Sequence, residues 1–542
     1  MRTSLRQLAD RSFTSISGLS VALMVLLLVL ILGPMLLKGV TAVFFRGTVE
    51  FRRLQLVEFG RGKAETVTAE LDAVNKVREE IYKPLDRFAR GIDTAPLAEQ
   101  ARDLYRRFGD ELRFRKVDVE RYTELRRDAR DLRQRFSDAV ESTDRAEARG
   151  LIEEVLAAAD RPEFADSALV GLFDLARGYQ RTLEDYDPAH RSEYLSALNE
   201  VQGALASLLG PRREEPTPKL IRDRYGATRW DMAQKALHKL YYAEQWLEVE
   251  PGEPLVQRFV PRSQAQFAGT ALEGWFDRVR ELAPEMLHPR FTMYWHYFTD
   301  DSTPGYYFGG VGPEVLGTLL LTVLTMVFAI PLGITSAAYL VEVASDNLPV
   351  RVIRMCINTL AGVPSIVFGL FGLAFFVVWM QPRLGLEPKP SILAASMTLA
   401  VLVLPVIIRA SEEAIRAVPT HYKEASLALG AGRFRTFMIV SLPAALPGIM
   451  TGIILSLSRA AGETAPILIT GAIAAGPIPR SLTEPTRALP YACWNIAVAD
   501  DTAPQVPHNQ FGMVMTLILL VLILNIIAIF IRSRTARKLK GY

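Results

Sequence analysis

Two charged residues four positions apart, Arg459 and Glu463, interrupt an otherwise apolar stretch over residues 437–469. A charge at that depth in hydrocarbon costs a few kcal/mol or more unless it faces a partner or water, so its presence implies a use. A planar guanidinium donates two parallel hydrogen bonds to a compact oxyanion, and a carboxylate beside it can hold the guanidinium when no anion is bound. The same carboxylate can accept from a protonated oxyanion, which would discriminate against an anion with no proton to give. The competing reading is an internal i, i+4 ion pair that only neutralises two charges. Arg409 is a further candidate, but it ends an apolar stretch at residues 392–408, where an interfacial anchor explains it equally well.

A second constellation carries mechanics rather than chemistry. Glu424-Ala425-Ser426-Leu427-Ala428-Leu429-Gly430 is followed, after nine residues, by Val440-Ser441-Leu442-Pro443. Pro419-Thr420 suits a helix start, and Tyr422, Ala425, Ser426 and Leu429 fall on one small, mostly apolar face. Gly430 suits the position just past a helix end, where a positive φ is needed. Such a helix can lie in a groove of another protein, and periodicity alone allows a solvated connector equally. No Gly-x-x-x-x-Gly-Lys-Ser/Thr loop occurs in the sequence, and Gly430-Ala431-Gly432-Arg433 has neither the spacing nor the lysine. Nucleotide hydrolysis is therefore expected on another polypeptide.

These residues must be positioned by helices in a bilayer. Residues 16–37 form a nearly uninterrupted apolar run, long enough to cross about 30 Å of hydrocarbon and too long for a signal-peptide core. Five more runs follow, at 315–341, 352–380, 392–408, 437–469 and 511–531. Backbone polar groups cannot stay unpaired in lipid, so these runs predict an all-α integral membrane protein with about six transmembrane helices. Arg2, Arg6 and Arg11 precede the first run, Arg416, Lys423, Arg433 and Arg435 flank the Glu424 segment, and Arg532, Arg534, Arg537, Lys538 and Lys540 close the chain. Six spans place these clusters on one side, which the positive-inside rule makes the cytoplasm, with both termini. Glu342 then falls at the inner end of the second span, as an interfacial residue.

The expected organisation is a cytoplasmic N-terminus at 1–15, a first transmembrane helix at 16–38, an extracytoplasmic helical insert at 46–310, a membrane domain at 313–532 with its cytoplasmic loop at 410–436, and a basic tail at 533–542. The insert holds 41 of the 62 basic and 47 of the 59 acidic residues, a net of −6, against +9 for the remainder. Its Val67, Leu71, Val74, Ile81, Leu85 and Phe88, then Leu97, Leu104, Phe108 and Leu112, recur at helical steps. A bundle or coiled coil is expected up to about Gly210; Pro211, Pro216 and Pro218 then break the pattern before a smaller, more aromatic segment. The insert shows no metal-ligand spacing or nucleophile motif, leaving a stalk, a docking surface, a ligand sensor or an envelope contact open. Cys356 in the third span and Cys493 outside the membrane are not expected to pair. No basic stripe interleaved with aromatics points to nucleic acid.

Several segments resemble one family. The Glu424 spacing is similar to the coupling loop of importer-type ABC permeases, Glu-Ala-Ala, three residues, Gly, nine residues, Ile-x-Leu-Pro, with Ser426 and Val440 as small departures. Ala361-Gly362-Val363-Pro364-Ser365-Ile366-Val367-Phe368-Gly369-Leu370, in which Pro364 implies a kink, and the run from Ile407 to Pro419 resemble the phosphate-specific transport permeases. Ser458-Arg459-Ala460-Ala461-Gly462-Glu463-Thr464-Ala465-Pro466 looks like the A-type subunit, the C-type usually having Met after Gly-Glu-Thr. The resemblance covers about residues 310–542 and the position of the first span, not the insert.

It implies a MetI-like permease core and a non-catalytic subunit of a phosphate importer in a bacterial inner membrane. Arg459, Glu463 and Arg409 would lie in the substrate path, and Glu424, Ala425, Gly430, Leu442 and Pro443 would couple to the ATPases. The implied partners are a C-type permease, two ATPase subunits and an extracytoplasmic phosphate-binding protein, with no nucleic acid. This chain would bind no cofactor and no metal; ATP and Mg would be used by the ATPases. The alternatives are a permease for another oxyanion and a membrane sensor of phosphate status.

Overall fold

The computed structural model describes residues 2–212, 226–247, 256–499 and 505–539; Pro216, Pro218 and Lys540 lie outside them. The chain divides into two compact units, Met1–Phe44 with Met293–Tyr542, and Phe45–Thr292. Residues 293–310, expected in the insert, thus belong with the membrane helices.

Among the described residues of the first unit six helices are long and apolar enough to cross a membrane: Ser15–Val40, Gly312–Val343, Ser365–Arg383, Ile392–Arg416, Arg433–Gly462 and Pro507–Arg537. The chain is an all-α integral membrane protein. Small residues set how closely the helices approach, as expected where lipid offers no hydrophobic drive for association. A Cβ on Gly333 would lie 2.5 Å from Ile407, and one on Gly448 would lie 2.7 Å from the Ala414 methyl, so the fourth span is gripped between the second and fifth. The first span is exposed along its length within this chain and meets the sixth near its end. There a Cβ on Gly39 would lie 2.6 Å from Met515, and the Lys38 ammonium sits over the Phe511 ring.

Two expected spans are corrected. Residues 352–380 do not form one helix. Leu348–Leu360 ends before Pro364, which takes φ −56°, ψ 138°, and a new helix starts at Ser365. Proline lacks the N–H to continue the ladder and disfavours helical backbone in the residue before it, so the expected kink is a complete break. Cys356 therefore lies on the preceding helix, where Val350 is the buried residue, and both cysteines are free. The fifth run also breaks: the helix ends at Gly462, Glu463 is extended at φ −74°, ψ 128°, and a short helix Ala465–Thr470 begins with Pro466 in its first turn.

The second unit is a helical bundle with two cores. Ala95–Phe114, Val119–Glu141, Arg145–Leu156 and Val170–Thr182 enclose one, built on Phe108, Phe136, Ile152 and Phe173. Ala64–Ile92, Arg191–Leu209, Trp230–Tyr241 and Trp275–Leu287 enclose the other, around Ile81, Leu85, Leu208 and Phe276. Val67, Val74, Ile81, Leu85, Phe88, Phe108 and Leu112 are buried as their periodicity predicts, with Leu71, Leu97 and Leu104 half-buried. The aromatic segment after Gly210 is not separate: it returns to the second core, where Trp275 Nε1 donates to the Ile81 carbonyl at 2.9 Å. Between its helices runs an antiparallel hairpin, Tyr242–Leu247 with Val256–Pro261. Buried Glu50 is held by Arg78 at 3.0 Å and Arg53 at 3.5 Å, the pairing a carboxylate out of water requires.

Candidate functional site

Arg459 lies in the last turn of the fifth span, and its Nε donates to Glu463 Oε1 at 3.1 Å. The pair predicted by spacing thus forms, at the end of a membrane helix rather than deep inside a continuous one. The backbone break after Gly462 turns Glu463 out of the ladder while keeping its carboxylate within reach of the guanidinium. Both side chains retain partial exposure, 35% and 20%, so a guanidinium edge remains accessible. The small-residue segment braces this break: a Cβ on Gly369 would stand 3.0 Å from Pro466 Cα. Beneath it Ala460 packs with Phe368, Val403 and Ile407, and one turn earlier Ser458 donates to Asn525 of the sixth span at 2.8 Å.

Arg409 is about half exposed and reaches Glu412 Oε2 at 3.8 Å, one turn along its own helix. It sits beside the crossing of the fourth and fifth spans, where Ala410 faces Gly452. Glu412 is the residue that sequence reasoning missed. It is buried, and Arg354 Nε at 3.0 Å and an Arg416 guanidinium nitrogen at 2.6 Å also engage it. Three guanidiniums converge on one carboxylate, two from its own helix and one from Leu348–Leu360. Arg354 also donates to the Leu340 carbonyl at 2.8 Å, which joins that helix to the end of the second span. The only signal in the sequence was a carboxylate amid the apolar faces of the fourth helix.

The Glu424 segment forms the helix Thr420–Ala428, with none of its residues buried. Glu424, Ala425 and Gly430 are exposed, and Gly430 has φ +84°, the left-handed cap expected of it. Tyr422, Leu429 and Phe434 are more than half exposed, with the His421 ring 4.4 Å from that of Tyr422. Leu442 and Pro443 are placed differently. They are half-buried at the start of the helix Leu442–Gly462, with Leu442 packed on the cluster around Ile408, Ile415 and Ile449. They anchor the loop and do not share its exposed face.

Two contacts tie the exposed helix to the spans. Lys423 Nζ donates to Glu342 Oε1 at 2.6 Å, and the Ser426 and Thr436 hydroxyls are 3.0 Å apart. Glu342 lies in a π-helical turn, Tyr339–Val343, that ends the second span, and another, Phe437–Ser441, follows Thr436. Such turns have wider i→i+5 pairing and frequently mark functional positions. Among the described residues no group of three or more His, Cys, Asp or Glu is arranged to hold a metal ion.

Residues 329–541 match the family described as binding-protein-dependent transport system inner membrane component. Over 176 residues the chain is 40% identical to phosphate transport system permease protein PstA 1 of Mycobacterium tuberculosis, covering 32% of this chain and 56% of that protein. It thus spans little more than half the length of that relative. It is 34% identical to phosphate transport system permease protein PstA of Yersinia pestis over 220 residues, 41% of this chain and 71% of the relative. An inward-facing structure of the MetNI methionine ABC transporter is 22% identical over 42% of this chain and 94% of its own, with a TM-score of 0.30. The chain belongs to the binding-protein-dependent transport system inner membrane components, among their PstA members.

Proposed function

We propose that this chain is the A-type permease subunit of an ATP-driven phosphate importer. The observation that carries the reading is the partly open Arg459–Glu463 pair at the break of the fifth span. Arg459 offers a fork of donors to an incoming phosphate, and Glu463 releases the guanidinium as the anion takes its place. Glu463 then accepts from the proton of a phosphate monoanion. Phosphate is chosen among oxyanions because the relatives over this region bear phosphate transport names. The terminal Arg/Lys clusters and the Glu424 helix face the cytoplasm of a bacterial inner membrane, and the insert faces outward.

Work enters through the exposed Thr420–Ala428 helix, which docks on ATPase partners that bind ATP and Mg and carry out hydrolysis. Displacement of that helix reaches the second span through Lys423 and Glu342, and the fifth through Ser426 and Thr436. ATP shifts the path between conformations only if the docked ATPases hold the helix more tightly in one of them. A C-type permease completes the path, and an extracytoplasmic phosphate-binding protein delivers the substrate.

The test is uptake of radiolabelled phosphate by cells lacking other phosphate importers, with the intact chain or Arg459→Ala assembled with its partners. ATP-dependent uptake that disappears in the variant supports the assignment. Uptake of another oxyanion, insensitive to phosphate, would overturn the substrate.

A further inference from the structure

The fourth span has a link of its own to the exposed helix Thr420–Ala428, and it begins with a hydrogen bond that the second span gives up. In an α-helix the Ala344 N–H would donate to the Leu340 carbonyl. At the π-helical end of the second span it donates to the Tyr339 carbonyl instead, at 2.9 Å. The carbonyl of Leu340, a buried residue, is thereby left out of the ladder and needs another partner. Arg354 supplies it, Nη2 donating at 2.8 Å.

What Arg354 meets at its other nitrogen decides where the contact leads. Its Nε lies 3.0 Å from Glu412 Oε1, off the axis of a hydrogen bond, so the two side chains form an ion pair largely out of water. Asp346, exposed and already paired with Arg351 at 2.9 Å, stands 4.0 Å from Arg354 and competes little. Arg416 at 2.6 Å and Arg409 at 3.8 Å also face Glu412, but both belong to the fourth span and join nothing to it. Arg416 alone neutralises the carboxylate, and each further guanidinium adds like-charge repulsion. Charge balance therefore does not explain Arg354; what it adds is a connection to another helix.

The connection is continuous. Lys423 of the exposed helix donates to Glu342 at 2.6 Å, and Glu342 shares the five-residue π-helical turn with Leu340. Leu340 accepts from Arg354, and Arg354 pairs with Glu412. The Leu340 side chain packs in one cluster with Ile408 and Ile415, about a turn to either side of Glu412. A guanidinium suits the junction, because its planar fork engages a carbonyl and a carboxylate at once in fixed geometry, whereas an ammonium is a point charge.

We propose that Arg354 and Glu412 are positioning residues that carry displacement of the Thr420–Ala428 helix into the fourth span, tying ATP hydrolysis to phosphate movement. This role rests on the importer reading above and adds the fourth span to the second and fifth.

The experiment counts phosphate taken up per ATP hydrolysed, in vesicles holding this chain assembled with its partner permease, ATPases and binding protein. Arg354→Lys keeps the charge facing Glu412 and loses the two-point hold. The ratio is expected to fall at least about fivefold, the low end of a coupling between sites, with melting temperature and ATPase recruitment retained. Arg354→Met combined with Glu412→Met replaces the ion pair by apolar side chains, an exchange that often leaves stability level, and is expected to lower the ratio to the same degree. Arg351→Ala, on the same helix but paired with exposed Asp346, is expected to keep the ratio. A purely structural brace would change assembly and melting temperature and leave the ratio alone. An unchanged ratio in both Arg354 variants, or an equal fall in Arg351→Ala, overturns the proposal. An intact complex that takes up no phosphate overturns the importer reading and this role with it, an outcome distinct from an active intact complex with fully coupled variants.

Discussion

Lys423 of the exposed helix and Glu342 at the end of the second span, 81 residues apart, meet at 2.6 Å with both side chains mostly buried. The contact gives a helix with no buried residue of its own a firm hold on the spans. Lys423→Ala is expected to cut ATP-driven uptake several-fold while the ATPases still assemble, with a stability loss of about 1–3 kcal/mol because Glu342 is left mostly buried without its partner. Exchanging the charges, Lys423→Glu with Glu342→Lys, should recover part of the loss in reconstituted vesicles. Equal uptake by the single variant and the intact chain would remove the contact from the coupling route.

Replacing Arg459 by Lys keeps the charge and loses the fork that also holds Glu463. Losing one charge-assisted hydrogen bond to the anion corresponds to roughly a 10- to 100-fold fall in uptake. Initial rates from complexes shown to be fully assembled measure this. A normal rate would mean that the pair only neutralises itself.

Gly369 supports the site by its lack of a side chain. A Cβ there meets the backbone of Pro466 at 3.0 Å, and backbone yields less readily than a side-chain tip. Gly369→Val is expected to lower stability by about 1–3 kcal/mol through overpacking and to displace the break that presents Glu463. Thermal unfolding in detergent reads the first effect, and phosphate uptake the second.

The unit Phe45–Thr292 should weaken in acid through Glu70. Burial raises the pKa of this carboxyl, but the Arg52 hydrogen bond and the charges of Arg52, Arg290 and His288 outweigh it, leaving the pKa below the usual 4.5. The unfolded chain then holds the proton more tightly than the folded one. The stabilisation is fully present above about pH 4.5 and is lost as pH falls through the lower, folded value. Glu70→Gln is expected to unfold at lower temperature than the intact chain at pH 7, with the gap closing below pH 4.5. A gap that stays constant down to pH 3 would contradict this.

The site was legible where its signal is local. Arg459 and Glu463 are four residues apart on a helical approach, so their spacing alone foretold the 3.1 Å contact. Thr420–Ala428 and its Gly430 cap follow from neighbouring residues in the same way. Glu412 was not legible, because its partner Arg354 lies on a helix that hydropathy merged with the third span. The break at Pro364 was legible only as a kink, and the one at Glu463 not at all, because averaging over an apolar run hides the extended residue that ends a helix.

By itself the sequence determined a helical membrane protein of about six spans, because hydrocarbon forces each long apolar run to satisfy its own backbone. It determined the packed faces of the helices between Phe45 and Thr292 through their 3.6-residue period, and the helix Thr420–Ala428 through its start, face and cap. Only the tertiary structure decided that residues 227–240 and 267–287 return to the core begun by residues 64–92, and that Lys423 grips Glu342. It alone decided that Arg354 joins Leu340 to Glu412. Contacts between residues tens or hundreds of positions apart depend on how whole helices pack, and no local pattern of residue types encodes that arrangement.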